Sequence, residues 1–286
     1  MKKVLLGFAA AMLIVAFVVA GCGSKSASNK PATSQAKQVL DSSQAKMQDV
    51  QTVKMTGTAT VLTPQSETKS ETIKLDGQVK ILSKTDAEMH MSATASNGQV
   101  TDIYVIGGYE YTNDPVKGWT KQKVTPGQFA QSGAITPESI SSLTKYAENM
   151  KLAPDQNGMY VITFNVGPQF FEQALNQASS ASTGDASADQ AAQHLSQTLK
   201  DMLKGIQMTA VYKVNKSTML ADSANIKMFM KGAPVLGDVT VTMNMTFTDY
   251  NAPVTITLPP EAAGAQEVQP SPSGVPNLPS IPGLGL

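Results

Sequence analysis

Arginine is absent from this 286-residue chain, and all 22 basic residues are lysine. Without a guanidinium, the usual bidentate clamp for phosphate or carboxylate is missing. Acidic residues also number 22, so there is no basic excess to neutralise a nucleic-acid backbone, and no nucleic-acid partner is expected. Cysteine occurs once, at Cys22, which excludes a disulfide framework and any cysteine metal site. Histidine occurs twice. His90 falls on the polar side of an alternating segment, and His194 sits in the polar stretch Gln193-His194-Leu195-Ser196; both read as surface residues. No His-Glu zinc spacing, Gly-x-Ser-x-Gly elbow or phosphate-cradling glycine loop is present. Asp185 and Asp189 flank a helix start and read as caps. No catalytic residue, cofactor or metal is therefore assigned, and the chain is not expected to be an enzyme.

What is present begins at the N-terminus. Lys2 and Lys3 precede an apolar stretch, Val4 to Val19, and small residues follow, the pattern of a secretory signal. The segment ends in Val19-Ala20-Gly21-Cys22, which resembles a bacterial lipobox. That resemblance implies cleavage before Cys22 and diacylation of its sulfur. Two acyl chains would give firm anchoring, where one is marginal. The alternatives are an ordinary signal peptide with a chance cysteine, and an uncleaved span, for which the apolar run is short against the usual ~20 residues. Removing residues 1–21 leaves the remainder near −2 in net charge.

Four regions follow from composition. Residues 1–21 are a signal peptide. Residues 22–33 are a lipidated, flexible tether with a coil reach of ~20 Å. Residues 34–260 form one domain, and 261–286 are a Pro/Gly/Ser-rich tail read as disordered. Within the domain, Ser34 to Val50 has helical spacing at Ala36, Val39, Leu40, Ser43, Met47 and Val50. The period then becomes two over Thr52–Leu62, Thr72–Leu82 and Ala87–Ser96, as in antiparallel strands with one dry and one wet face. Asn97-Gly98 and Gly107-Gly108 are hairpin-turn signals. Val100–Ile106, Tyr109–Thr112 and Trp119–Val124 are further strands. Thr136-Pro137-Glu138 starts a helix with Ile140, Leu143, Tyr146, Ala147 and Met150 on its apolar face. Met159–Val166 returns to strand, residues 168–178 and 188–204 read as helix, and Gln207–Asn215, Ala224–Met230 and Asp238–Asp249 read as strand.

The economical arrangement is an α+β, β-rich domain. One large curved antiparallel sheet, a half-barrel, has helices packed in its concave face. A few helices cannot fill such a sheet without leaving an apolar gap. The chain resembles the LolA-like lipoprotein-carrier group, including LppX/LprG-type lipoproteins, in four respects. The lipobox precedes a first helix and long strands. Ile103 to Tyr111 followed by Gly118-Trp119-Thr120-Lys121 looks like the family's hairpin and Trp strand. Helices interrupt the sheet midway, and Phe247 to Ile256 looks like its closing strand. The resemblance implies binding of acyl chains or lipoproteins in the concave cavity.

Methionine is the compositional excess, with 15 in all. Met89/Met91, Met228/Met230 and Met243/Met245 each point to one side of a strand. Three readings stay open for them: plain core, a plastic lining for a floppy apolar ligand, or a soft thioether site for copper(I). The expected lining is Met89, Met91, Tyr104, Met228, Met230, Val241, Met243, Met245 and Phe247. Trp119 with Tyr104, Tyr109 and Tyr111 marks either a ligand entrance or ordinary hairpin packing. The expected protein is a membrane-anchored extracytoplasmic lipoprotein, on the outer surface or in the periplasm, that binds a lipid or other hydrophobic ligand. The rival is a non-enzymatic envelope interaction or scaffold protein with a filled core and a protein partner; a copper-binding lipoprotein is a more distant third.

Overall fold

The computed structural model describes residues 31–64, 71–83, 86–114, 118–124, 144–167, 169–170, 205–233 and 237–268. Cys22, the tether before Pro31, most of the helix expected from Thr136, all but Gln169 and Phe170 of the helix expected over 168–178, the helix expected over 188–204, and the tail beyond Val268 lie outside those residues.

The first helix, α1, runs Pro31–Met47. Proline suits the first turn, where its missing N–H has no partner to lose, and Lys46 complements the negative end of the helix. Ala36, Leu40, Ser43 and Met47 recur at intervals of three and four and are buried, with Val50 just beyond the helix. On the opposite side Lys37 and Asp41 pair at 2.8 Å.

The strands follow as β1 (Thr52–Leu62), β2 (Glu71–Ile81), β3 (Ala87–Thr94), β4 (Val100–Ile106), β5 (Tyr109–Asp114) and β6 (Gly118–Lys123). The later strands are β7 (Ala147–Gln156), β8 (Met159–Val166), β9 (Ile206–Asn215), β10 (Ala221–Ala233), β11 (Gly237–Thr248) and β12 (Gln266–Glu267). They form one open, curved sheet in the order β12-β6-β5-β4-β3-β2-β1-β11-β10-β9-β8-β7. Every pairing is antiparallel except β12 on β6. Two meanders are thus joined along β1 and β11, where Met55 faces Phe247 and Val61 faces Val241. Alternation puts Val53, Met55, Ala59 and Val61 of β1 on the dry face with α1, and Lys54, Thr56, Thr58 and Thr60 on the wet face.

The turns carry their expected chemistry, with one difference. Gly107 and Gly108 both have positive φ, 60° and 77°, which makes the two-residue link that sets Ile106 opposite Tyr109. At Asn97-Gly98 only Gly98 is left-handed. Its N–H bonds back to Ala95 O at 2.9 Å, so the loop is one residue longer than a two-residue turn.

Three sequence expectations are corrected. The helix from Thr136 does not reach Met150: Ala147 and Met150 lie in β7, which pairs with β8 through Leu152 and Ile162. A bulge between Glu148 and Lys151, with Asn149 at φ 52°, breaks the strand's alternation and mimics helical spacing. The segment to Ile256 is not a closing strand. The ladder stops at Thr248, Asp249 and Asn251 take positive φ, and the chain crosses the start of β1, where Asn251 N–H donates to Thr52 O at 2.9 Å. Finally, the folded part does not stop near residue 260. A 3-10 turn at Pro260–Gly264 buries Ala262, β12 joins β6, and Val268 N–H donates to Lys121 O at 2.8 Å. Of the helices expected in the concave face, α1 is the one described along its whole length, and its apolar side packs into the sheet's core, as does Phe170 from the helix expected over 168–178.

Candidate ligand-binding face

Register decides which side chains meet. Gly57 lies between Leu75 and Met245, and Met245 faces Ala224 in turn. Ala59 faces Met243, which faces Ile226; Val241 faces Met228, and Val239 faces Met230. Across β2, Met55 and Met91 flank Gly77, and Met89 faces Val79. All these methionines, with Val241 and Phe247, belong to or pack against one core. The expected lining is therefore brought together on one face, closely packed, with Met245 only 2% exposed. The expected lining omitted Met55, Met208 and Tyr212, which share this face although alternation already put them on the dry sides of their strands. Burial pushes the Tyr212 phenol up to about 12, so it stays a neutral hydrogen-bonding group at any ordinary pH.

Tyr104 is the exception among the expected lining residues. Its partner in register is His90, while Met89 faces Val105, so Tyr104 stands on the wet face. There it stacks on the His90 ring at 4.2 Å and 16° and meets Trp119 at 5.9 Å. Partial burial, then the neighbouring Asp102 charge, raises its phenol. His90 Nε2 lies 3.1 Å from Asp102 Oδ1. Tyr109 and Tyr111 pack together on the same side, with the Lys121 ammonium 5.4 Å from the Tyr109 ring. Between the entrance and packing readings, the four aromatics form a hairpin cluster turned away from the methionines.

The wet face also holds an open groove of about 580 Å3, lined by Thr56, Thr58, Lys74, Asp76, Ser92 and Thr246 among others. Asn225 donates to Asn244 beside it, and Asn244 reaches Thr58. Polar side chains make up most of its lining, with Leu75 set among them, and it opens on the face away from the methionines.

The dry face has one anomaly. Glu110 faces Val105, so its carboxyl points inward, and it is 8% exposed. Gln122 Nε2 donates to its Oε1 at 2.9 Å. Burial raises the carboxyl above its ordinary range, and the Gln122 hydrogen bond opposes that shift only in part. Thr112 is buried in the next register row; Thr101, one row further along, is 2% exposed, and its hydroxyl has no hydrogen-bond partner among the described residues. Hydropathy hid Glu110 because tyrosines flank it; the Gly107-Gly108 turn fixes its direction and was the signal that finds it.

A raised carboxyl pKa means that the folded state binds the proton more tightly than the unfolded chain. Stability from this group is therefore greatest at low pH and falls as pH rises from about 4.5 through the raised folded value. Glu110→Gln is expected to raise the melting temperature at pH 7 and to change it little at pH 4. A melting temperature lowered at pH 7 would contradict the assignment of burial as the dominant cause.

Among the described residues no helix is long and apolar enough to cross a membrane. The fold and its faces define a single-sheet, half-barrel domain with a thioether-rich core. The chain belongs to the family of unknown function DUF6612, whose pattern spans residues 31–267, the whole of the described domain. No curated protein matches it. Among solved structures it is similar to a DUF1329 family protein from Desulfovibrio piger, with 10% identity and a TM-score of 0.31 over 79% of this chain and 96% of that one. It is similar to a LolA superfamily protein from Nitrosomonas europaea, with 10% identity and a TM-score of 0.27 over 78% and 94%. A third similarity is to the Pseudomonas aeruginosa MucA/MucB complex, with 10% identity and a TM-score of 0.35 over 79% and 62%.

Proposed function

We propose that the protein is an extracytoplasmic lipoprotein, held on the membrane through diacylglyceryl-Cys22, that takes up a lipid or other hydrophobic ligand against its methionine face. The supporting observation is the gathering of Met55, Met89, Met91, Met228, Met230, Met243 and Met245 on one side of one sheet. Unbranched thioethers adapt to irregular apolar shapes at small conformational cost. Reversible burial supplies the driving force, about 25 cal/mol per Å2 of apolar surface. No covalent step is needed. Because this face is closely packed, uptake requires the core to open, and the ligand replaces protein contacts that it matches in kind.

A second reading is favoured by a different observation. The methionines are buried while the groove and aromatic cluster lie on the wet face. In that reading the core is permanently filled and the protein is an envelope interaction partner that docks through its polar side. Titration with a fluorescent polyene fatty acid separates the two. Saturable uptake near one per chain, displaced by unlabelled acyl lipid, is the carrier's result. Absence of saturable uptake moves the assignment to the interaction protein.

A further inference from the structure

We propose that the groove on the wet face is a binding site for a neutral polysaccharide, whose chain lies across the strands and runs on toward the aromatic cluster of β4 and β6. The site is on the other side of the sheet from the methionines, so it stands or falls independently of lipid uptake.

Register makes the groove one continuous surface. Thr246, Thr56, Asp76 and Ser92 stand in one row across β11, β1, β2 and β3, and Thr58 faces Lys74 in the row beside it. All six line the groove, whose volume of about 580 Å3 falls in the range of small-ligand pockets, about 300–1,000 Å3. The surface does not stop at β3. His90 stands two residues from Ser92 on the same side, and its ring stacks on Tyr104 of β4, which in turn meets Trp119 of β6. From β11 to β4 is four strand spacings, about 19 Å at about 4.8 Å each, room for several linked sugar rings.

The lining selects an uncharged ligand rich in hydroxyls. Ligand pockets are ordinarily mostly apolar. This one presents threonine and serine hydroxyls, each able to donate and accept, with the Asn244 amide, one ammonium and one carboxylate. Lys74 and Asp76 are exposed and two residues apart on one side of β2, yet they pair neither with each other nor with another described residue. On the same face Lys80 and Glu88 do pair, at 3.0 Å. The two free charges cancel across the groove, so a ligand of one sign gains from one and loses to the other. A sugar ring instead donates a hydroxyl to Asp76 and offers a hydroxyl oxygen to Lys74. An acyl chain finds little here, since Leu75 is the one large apolar side chain of the lining among the described residues. At the β4 end the half-buried Tyr104 and Trp119 supply aromatic surface for the apolar C–H face of a further ring.

The test is calorimetric titration of the full-length chain with four neutral hexasaccharides (cello-, xylo-, malto- and chitohexaose) and with polygalacturonate as an anionic polymer. At least one hexasaccharide is expected to bind with a Kd between about 1 μM and 1 mM. Its affinity is expected to change less than about twofold between low and high salt, because the ligand has no charge to screen. The matching disaccharide is expected to bind at least about tenfold more weakly, since it does not span from the groove to the aromatics. Asp76→Ala is expected to weaken the hexasaccharide about tenfold, the effect of losing one hydrogen bond to a charged group. Thr56→Lys places a long side chain in the groove from an exposed position and is expected to abolish binding. Both changes are on the solvent side, and an unshifted thermal melt confirms that each chain is folded. Failure of all four neutral probes overturns the site. So does tighter binding of polygalacturonate that salt removes, and so does unchanged affinity in folded Asp76→Ala and Thr56→Lys chains.

Discussion

Gly57→Ala is expected to lower the melting temperature by about 3–10 °C, corresponding to about 1–3 kcal/mol for a domain of this size. Gly57 sits mid-strand in β1, where glycine is ordinarily a poor choice. The reason it is there is geometric. A Cβ at this position would collide with the backbone carbonyl of Asn244 and with Sδ of Met245 in the partner strand. A thioether can swing away, but a ladder carbonyl in the β1–β11 seam cannot. Met245→Ala in the same chain is therefore not expected to rescue it. Gly77 supplies the contrast. There the nearest atoms are Met55 Cγ at 3.1 Å and His90 O at 3.3 Å, so Gly77→Ala needs a swing of the flexible Met55 side chain and a shift of only a few tenths of an ångström at the His90 carbonyl. Its cost is expected to be about 1 kcal/mol or less. Thermal melts of the two variants check the order; equal losses would contradict this account of the seam.

The double change Met243→Asp, Met245→Asp is expected to abolish cooperative folding. Both side chains are in the central strand of the seam, 6% and 2% exposed. Each buried carboxylate costs several kcal/mol or must take up a proton, and a whole domain has only about 5–15 kcal/mol in hand. A melt followed by circular dichroism should show no sharp transition at pH 7. A cooperative transition within a few degrees of the parent would mean that these residues do not lie in a packed core. Ligand contact at these positions is accordingly probed with Met243→Leu, a volume-conserving change expected to cost under about 1.5 kcal/mol.

Much of the sheet was legible because alternation is a strong signal where nothing interrupts it. β1, β4 and β8 lie where the pattern places them, end for end. β7 was not legible, since its bulge at Asn149 puts Tyr146, Ala147 and Met150 at helical spacing. The sign that it is a strand lay downstream, in Asn157-Gly158, whose φ values of 54° and 78° make the turn into β8. The parallel pairing of β12 carries no local signal at all, because two residues have no period and their partner is more than a hundred positions away.

The candidate face was legible by the same rule and misread by the same gap. Met-x-Met spacing placed the thioethers together. Tyr104 is expected among the methionines, yet parity with Ile103 and Val105 and its register with His90 put it outside. Glu110 is the mirror case: its charge and its flanking tyrosines argued for water, and its parity, set by the Gly107-Gly108 turn that places it opposite Val105, puts it in the core. Residue type and strand parity disagreed at both places, and parity decided, because a one-residue slip would have reversed every neighbour as well.

The central claim is that the methionine face takes up a separate apolar molecule. The most direct measurement is native mass spectrometry with lipid extraction on residues 23–286, exported to a bacterial periplasm without the lipidated cysteine. The account predicts a stoichiometric co-purified lipid, lost on denaturation and restored by adding acyl lipid. A clean unliganded mass that takes up neither fatty acid nor phospholipid nor monoacylglycerol would contradict it.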